Sequence, residues 1–405
     1  MLPLTNNSLT MIKYIFPFFD NKIKEWALLA RLLRWLTFLW LLIGLVALFS
    51  ASFPVAEAEQ GDGLYYFKRQ LIWVWIGLMC FRVVVNSPLS QILKIAPWML
   101  LIILGLILAT SIPGVGTTVN GATRWLYLGP FLIQPSELLK PFLILQSACL
   151  FGKWERLSLK VKIGWLGIFA LILFSILIQP NLSTTALCGM TMWLIALAGG
   201  LPLRYLGGTA LAGILTAFTS VRIHEYQWRR ITGFLDPWAD ARGDGYQLVQ
   251  SLLAIGSGGF WGLGFGLSQQ KLFYLPIQYT DFIFAVFAEE FGFVGSICFL
   301  IILSVYATLA LMVAIKCDDR LKKLVAIGVM IVMVGQSLLN IGVAAGSLPT
   351  TGLPLPLFSY GGSSVIASLV SAGLLIRVAR ESNSAEVVSL EKHRQQLITD
   401  GGKLT

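Results

Sequence analysis

Charged residues are scarce in this sequence. Only 12% of its 405 residues are Asp, Glu, Lys or Arg, and 56% are hydrophobic, whereas a soluble domain carries about 25% charged residues. This composition excludes a soluble globular enzyme. The excess of 30 Lys and Arg over 20 Asp and Glu would suggest a nucleic-acid partner for a soluble protein. In a membrane protein it sets orientation instead, so no nucleic acid is expected.

Histidine and paired cysteine are also in short supply. The two histidines, His224 and His393, are too few for a histidine metal centre or a conventional catalytic triad. The five cysteines stand singly in or beside apolar runs, without CxxC spacing. Neither a disulfide framework nor a zinc site is therefore predicted.

Long apolar runs dominate what remains. A membrane span needs about 20 mostly apolar residues, and ten segments come near that length. We therefore predict an all-α polytopic integral membrane protein with ten transmembrane helices. Gly199 and Pro202 separate the sixth and seventh spans as a tight hairpin. The predicted spans are 34–52, 67–85, 92–112, 136–152, 163–179, 184–200, 203–221, 281–315, 322–346 and 360–379.

The distribution of basic residues predicts the orientation. With both termini cytoplasmic, most Lys and Arg residues fall in cytoplasmic segments, as short loops require. A large extracytoplasmic loop, 222–280, then joins the seventh and eighth spans, and within it 245–256 has helical spacing typical of an interfacial or re-entrant helix. We predict a cytoplasmic tail over 1–32, a transmembrane domain over 33–380 and a disordered cytoplasmic tail over 381–405.

Ionisable residues at membrane depth are costly, and each is a functional candidate. Glu137 and Lys140 are three residues apart in the fourth span, so they share a helix face and can pair. Asp281 begins the eighth span. On an ideal helix Glu289 lies closer to the face of Asp281 than Glu290 does, so Glu289 is expected in the same cavity.

Each of these residues also has a structural interpretation. Asp281 could cap a helix, with Thr280 as a second capping group. The Glu–Lys pair of the fourth span could simply hold two segments together. Arg124 and Trp125 could anchor the chain at the membrane interface. From position alone these alternatives stay open.

Seven segments, in order along the chain, resemble signature segments of the SEDS family of bacterial cell-wall polymerases. The resemblance runs from the first predicted span to the tenth. The segments are NGATRWLYLG (120–129), IQPSELLK (133–140), FLDPW (234–238), GYQLVQSLLAIGSGG (245–259), QKLFYLP (270–276), YTDFIFAVFAEEFGFVG (279–295) and GLPLPLFSYGGSS (352–364).

The resemblance implies an inverting peptidoglycan glycosyltransferase that polymerises lipid II at the outer face of the cytoplasmic membrane. The partners it implies are a class B penicillin-binding transpeptidase and other division-complex membrane proteins. Trp238 and the pair Gln270–Lys271 favour the FtsW branch, which acts at the septum, whereas 352–356 resembles the RodA branch, which acts in elongation. A lipid II flippase is a further alternative, but spans five to seven lack charged residues in their apolar cores, which favours chemistry at the outer face.

The resemblance also implies residue roles. Asp281 matches the proposed catalytic base, and an inverting reaction needs no covalent enzyme intermediate. Lys140, Arg124 and the pair Arg229–Arg230 are candidate cations for the leaving pyrophosphate. No cofactor is firmly implied, although Mg²⁺ could enter through that pyrophosphate. The implied substrate-binding residues are Arg124, Trp125, Gln134, Ser136, Glu137, Lys140, Thr280, Glu289, Ser359, Tyr360 and Gly361.

The sequence departs from the family pattern beside Asp281. Ile277 and Tyr279 stand where the family segment LPExHTDF has Glu and His. Leu132 occupies a position where some FtsW proteins carry an Arg. A second catalytic carboxylate from the 277–281 segment is therefore not expected.

Overall fold

A computed structural model describes residues 26–119, 122–129 and 131–401 of the chain. The predicted N-terminal tail lies outside these residues as far as position 25, and the last four residues also lie outside them. The described chain is mostly helical. Its helices are α1 (Leu28–Gln60), α2 (Tyr65–Asn86), α3 (Leu89–Ala109), α4 (Pro135–Gly152), α5 (Leu159–Ile178), α6 (Leu182–Ala198), α7 (Leu203–Ile223), α8 (Glu225–Leu235), α9 (Tyr246–Ser257), α10 (Ile283–Lys316), α11 (Arg320–Met330), α12 (Gln336–Ala344) and α13 (Gly362–Gly401).

The helices account for the apolar runs. Each predicted span overlaps a helix, and a π-helical turn over Ile331–Gly335 joins α11 to α12. Within the described ranges, eight stretches are long and apolar enough to cross a membrane. Of the remaining two predicted spans, α6 has only 17 residues and α4 carries a buried Glu–Lys pair. The predicted hairpin between Ala198 and Leu203 and the predicted helix near 245–256 are confirmed as local structure.

The segment between α3 and α4 corrects the all-α prediction. It forms a three-stranded antiparallel sheet of β1 (Gly116–Val119), β2 (Ala122–Leu128) and β3 (Phe131–Ile133). β-Branched and aromatic residues favour strands, but these strands are too short for their alternation to stand out beside the long apolar runs.

Helix α13 lies inside the bundle. Leu369, Leu374 and Leu375 in its first half are fully buried, and Gly77 of α2 packs so closely that an added Cβ would lie 2.7 Å from Leu369 Cδ1. Its backbone stays helical as far as Gly401, whereas we expected disorder from residue 381. The sequence has no Gly or Pro between Gly373 and Gly401, so no helix breaker intervenes.

The segment 258–282, between α9 and α10, positions the site and is called here the Asp281 loop. Its first part lies against a break in α10 at Gly292, where φ is 67° and ψ is −164°. The Leu263 N–H donates to Glu289 O over 3.0 Å, and the Phe293 N–H donates to Gly259 O over 2.9 Å. The loop therefore satisfies backbone groups that the broken helix leaves unpaired.

Candidate functional site

Asp281 lies just before α10 and does not cap it. The helix begins at Ile283, its N-cap position is Phe282, and no side chain caps it. The Thr280 hydroxyl donates instead to Ile277 O over 3.0 Å. The cap interpretation is therefore wrong, because capping requires a side chain that accepts from the first helical N–H groups.

The backbone of Asp281 is held from the other side of the site. Asn340 of α12 donates from Nδ2 to the carbonyl oxygens of Asp281 and Leu353, both over 2.8 Å. Among the described residues, none donates a hydrogen bond to the half-buried Asp281 carboxylate. The residue is fixed by its main chain, and its carboxylate stays available.

Gly352 lies between Asp281 and Arg230. A Cβ built on this glycine would lie 3.5 Å from Asp281 Oδ2 and 3.8 Å from Arg230 Nη1, and its φ of +70° suits only glycine well. Gly352 is itself exposed. The space beside this exposed glycine, which both the carboxylate and the guanidinium approach, is called here the gap.

Arg230 is held in place by α8 and by the segment that carries Gly352. Its Nη1 donates to Thr350 O over 3.1 Å, its Nη2 donates to the Tyr226 hydroxyl, and its guanidinium lies 4.5 Å from the Tyr226 ring centroid. Its neighbour Arg229 instead forms an exposed ion pair with Glu225 over 2.5 Å. Of the predicted pair Arg229–Arg230, therefore, only Arg230 faces the site.

Arg124 contributes a second positive charge. It lies half-buried on β2, with Nε donating to Gln179 O over 2.8 Å and Nη2 to Pro180 O over 2.5 Å. These bonds fix it to the connection between α5 and α6. Trp125 is the next residue of the strand and pairs with Thr117, whereas Arg124 is the extra residue of a β-bulge, because the following pair is Thr118 with Thr123.

These charges act on Asp281 in opposite directions. Burial raises the pKa of the Asp281 carboxyl above its ordinary value, Arg230 and Arg124 lower it, and Glu137 raises it, with burial the largest effect. A carboxylate with a raised pKa is a stronger proton acceptor than an ordinary one. Burial thus raises the proton affinity of Asp281, whereas the two arginines favour its ionised form.

The predicted pairing of Glu137 and Lys140 is confirmed. Lys140 Nζ lies 2.7 Å from Glu137 Oε1, and the two side chains are only 3% and 4% exposed. Lys140 also donates to Gln336 Oε1 over 2.9 Å, and Gln336 donates from Nε2 to Pro354 O over 2.6 Å. The pair therefore connects α4 to α12 and to the segment that carries Gly352.

Two other proposed substrate residues join loops to one another. The Ser359 hydroxyl donates to Thr280 O over 2.5 Å and accepts from the Leu355 N–H over 2.8 Å. The Tyr360 N–H donates to Tyr279 O over 2.9 Å. These bonds fix the segment before α13 against the residues that precede Asp281.

The remaining proposed residues lie at the ends of α4 and α13. The Gly361 N–H donates to Gln70 Oε1 over 3.2 Å, and the Gln134 N–H donates to Ser363 Oγ over 2.9 Å. Ser136 is buried, and its hydroxyl has no hydrogen-bond partner among the described residues. The Ser136 hydroxyl is thus buried with unused hydrogen-bonding capacity.

The Glu289 carboxylate has a set of hydrogen-bond partners of its own, whereas we expected it to face the cavity of Asp281. Its carboxylate accepts from Ser268 Oγ over 2.5 Å and from the N–H groups of Gln269 and Gln270 over 3.0 and 3.3 Å. Ser257 Oγ adds a fourth donor at 3.2 Å. Glu289 is 1% exposed and binds the Asp281 loop.

Sequence reasoning missed Gly352 and Asn340 as site residues. Asn340 is a polar side chain inside an apolar span, which is a recognisable signal. Gly352 lies in the segment resembling RodA, but a glycine carries no chemical signal of its own. Its role follows only from the side chains on either side of it.

These features define a polytopic, mostly helical membrane protein with a polar site in which two arginines act on the charge of one carboxylate. The chain belongs to the FtsW/RodA/SpoVE family of cell cycle proteins, whose sequence model matches residues 30–384. This confirms the family inferred from the seven segments.

Named relatives match over nearly the whole chain. A probable peptidoglycan glycosyltransferase FtsW from Synechocystis sp. is 60% identical over 94% of this chain and 96% of its own length. A putative peptidoglycan glycosyltransferase FtsW from Mesostigma viride is 51% identical, over 91% and 88%.

Solved structures share the fold. One is a chain from a structure described as the structural coordination of polymerization and crosslinking by a peptidoglycan synthase complex. Its TM-score is 0.70 and its identity 28%, over 86% of this chain and 97% of its own. The rod shape determining protein RodA of Thermus thermophilus has a TM-score of 0.62 and 28% identity, over 86% and 96%.

Proposed function

We propose that this chain is an FtsW-type peptidoglycan glycosyltransferase that polymerises lipid II for septal cell-wall synthesis. Its relatives with that name cover more than 90% of the chain. The observation that carries the chemistry is the Asp281 carboxylate facing Arg230 across Gly352. A base and a cation beside one open gap suit glycosyl transfer. The base can take the proton of the acceptor hydroxyl, while the cation stabilises the leaving pyrophosphate.

The reaction needs a base for the acceptor sugar. Asp281 takes the proton of the acceptor hydroxyl while the oxygen of that hydroxyl bonds to the anomeric carbon of the donor. The bond from that carbon to the pyrophosphate breaks in the same displacement. Because attack comes from the face opposite the leaving group, configuration inverts, and one carboxylate is enough.

The leaving polyprenyl pyrophosphate needs positive charge. Arg230 and Arg124 lie close enough to influence the charge of Asp281, and both are held by carbonyl oxygens that fix their guanidinium groups. Donors held in advance stabilise charge that develops on the leaving oxygens without reorganising. Lys140 lies inside the bundle and acts indirectly. It pairs with Glu137, and the charge of Glu137 raises the pKa of Asp281.

We propose no resident metal site. Among the described residues, no group of three or more His, Cys, Asp or Glu side chains is arranged to hold a metal ion. Mg²⁺ keeps several waters and is often bound through substrate phosphates. Any Mg²⁺ in the reaction would arrive on the pyrophosphate of the substrate.

The orientation proposed from the Lys and Arg residues places the reaction at the outer face of the cytoplasmic membrane. In that arrangement α4 and α6 complete ten spans, both termini are cytoplasmic, and the sheet, α8 and the Asp281 loop are extracytoplasmic. A cysteine placed at the exposed Asp240 tests this. Labelling in intact cells is expected, and labelling only after permeabilisation would contradict the orientation.

The proposed partner is a class B penicillin-binding transpeptidase within the division complex. A structural neighbour comes from a peptidoglycan synthase complex that couples polymerization to crosslinking, which supports such a partner. The decisive experiment is polymerisation of lipid II by the purified chain, alone and with a co-expressed transpeptidase. Folded protein that makes no glycan strands in either case would contradict the proposed function.

A further inference from the structure

A buried ion pair ties the Asp281 loop to two helices. Lys271 Nζ lies 2.7 Å from Glu290 Oε1 of α10 and 2.7 Å from Ser50 Oγ of α1. The Ser50 hydroxyl donates to the same Glu290 oxygen over 2.5 Å. The side chains of Lys271 and Glu290 are only 6% and 1% exposed.

A buried ion pair of this kind adds little net stability to a fold. Removing two charges from water costs about as much as their attraction returns, so apolar residues of similar volume often stabilise a fold equally well. What a buried pair supplies is geometry, because each charge is costly to leave without its partner. The loop is thereby held in one position against α1 and α10.

The loop needs such a restraint because its backbone is strained. Phe273 and Ile277 have φ values of 68° and 55°, a left-handed conformation that is an outlier for bulky and β-branched residues. Strain of this kind persists only where the surrounding structure imposes it. Both residues lie between Lys271 and Asp281 in the chain.

The loop is fastened on both sides of Lys271. Glu289 binds the N–H groups of Gln269 and Gln270, and the Leu275 N–H donates to Gln270 O over 2.9 Å. Beyond the strained residues, Gln278 donates from Nε2 to Lys271 O over 3.1 Å. The position of Lys271 is therefore transmitted directly to the residues that precede Asp281.

We propose that Lys271 and Glu290 are positioning residues, which hold the Asp281 loop in its strained conformation and so set Asp281 across Gly352 from Arg230. This inference rests on the proposed role of Asp281 as the base. Neither residue belongs to the gap, and both act through the backbone that connects them to Asp281. The signature segments 270–276 and 279–295, which contain Lys271 and Glu290, thus both position Asp281.

The test removes both charges together, so that neither is left buried alone. In the variant Lys271→Met/Glu290→Met the protein should stay folded, while kcat falls about 100-fold, the effect expected when a catalytic group moves by about 1 Å. KM should change little, since the substrate contacts are intact. Lys68→Met, which breaks an exposed ion pair with Asp62, is the matched control and should keep wild-type kcat.

A second substitution tests the strain directly. Glycine adopts positive φ without steric strain, so Ile277→Gly in the uncharged background should let the loop keep its conformation without the ion pair and recover most of kcat. An uncharged variant with wild-type kcat would overturn the positioning role. An uncharged variant that Ile277→Gly does not rescue would overturn the link to strain.

Hydrogen exchange separates this inference from the function on which it rests. The N–H groups of Leu272 and Leu275 are bonded within the loop, and they should exchange faster in the uncharged variant and slow again with Ile277→Gly. This result does not depend on catalysis. If the wild-type protein makes no glycan, the proposed function fails, while unchanged exchange in the uncharged variant would refute the restraint itself.

Discussion

Two acidic regions flank the start of α10, and they differ in how their carboxylates are used. Glu289 and Glu290 are 1% and 2% exposed, and their oxygens accept from hydroxyls, main-chain N–H groups and Lys271. Asp281 is half-buried and faces an arginine across an open gap, and its carboxylate accepts no hydrogen bond within the described chain. A satisfied carboxylate is a structural element, whereas an unsatisfied one beside a cation is available for chemistry.

The difference teaches that residue type and nearness in sequence do not identify the base. All three carboxylates lie within ten residues of one another in the same signature segment. Their hydrogen-bond partners assign them to different tasks. The contrast can be broken or sharpened by substituting one residue at a time.

Asp281→Asn should have the largest effect. Asn cannot take the proton of the acceptor hydroxyl, so polymerisation should fall by about 10²–10⁴-fold. Thermal stability should hold, because no hydrogen bond to the carboxylate is lost. The assay is lipid II polymerisation by purified protein beside a thermal melt, with Asp62→Asn as an exposed control. A wild-type rate would remove Asp281 from the chemistry.

Glu289→Gln should show the reverse order of effects. The amide keeps one acceptor oxygen but loses the charge that strengthens four hydrogen bonds, so unfolding should become easier by about 1.5–3 kcal/mol. The melting temperature should fall clearly, whereas the rate constant of the folded fraction should change little. A stable variant with a rate as low as that of Asp281→Asn would erase the distinction between the two regions.

Gly352→Ala should have a moderate effect with two separable causes. The positive φ makes alanine strained, by about 1 kcal/mol or somewhat more, and the methyl group enters the gap beside Asp281. Gly61 has a φ of +66° and nothing within 4 Å of an added Cβ, so Gly61→Ala carries the strain alone. Only the Gly352 variant should lose polymerisation, and equal loss in both would show that the gap is irrelevant.

Arg230→Gln should shift the pH dependence. Arg230 lowers the Asp281 pKa, so its removal raises that pKa further. Since the base must be ionised, the acid limb of kcat/KM should move to higher pH, and the activity lost on acidification should be lost sooner. Arg229→Gln is the matched control and should leave the limb in place. A limb that does not move would mean that Asp281 is not the group titrating.

Local patterns in the sequence determined much of this protein. Apolar runs of span length are enough to predict helices, because in lipid the backbone must satisfy its own hydrogen bonds. The spacing of Glu137 and Lys140 predicted their contact, because residues three apart on a helix are always neighbours. Gly199 and Pro202 predicted the break between α6 and α7 for the same local reason.

Only the tertiary structure decided how the acidic residues are used. The face of Glu289 was inferred from a regular helix starting at Asp281, but the helix starts at Ile283, so the 100° step per residue does not extend to Asp281. Gly352 and Arg230 come from segments far from Asp281 in sequence, and no periodicity relates them. Their meeting depends on how α8, α10 and α12 pack, and packing depends on every element of the bundle at once.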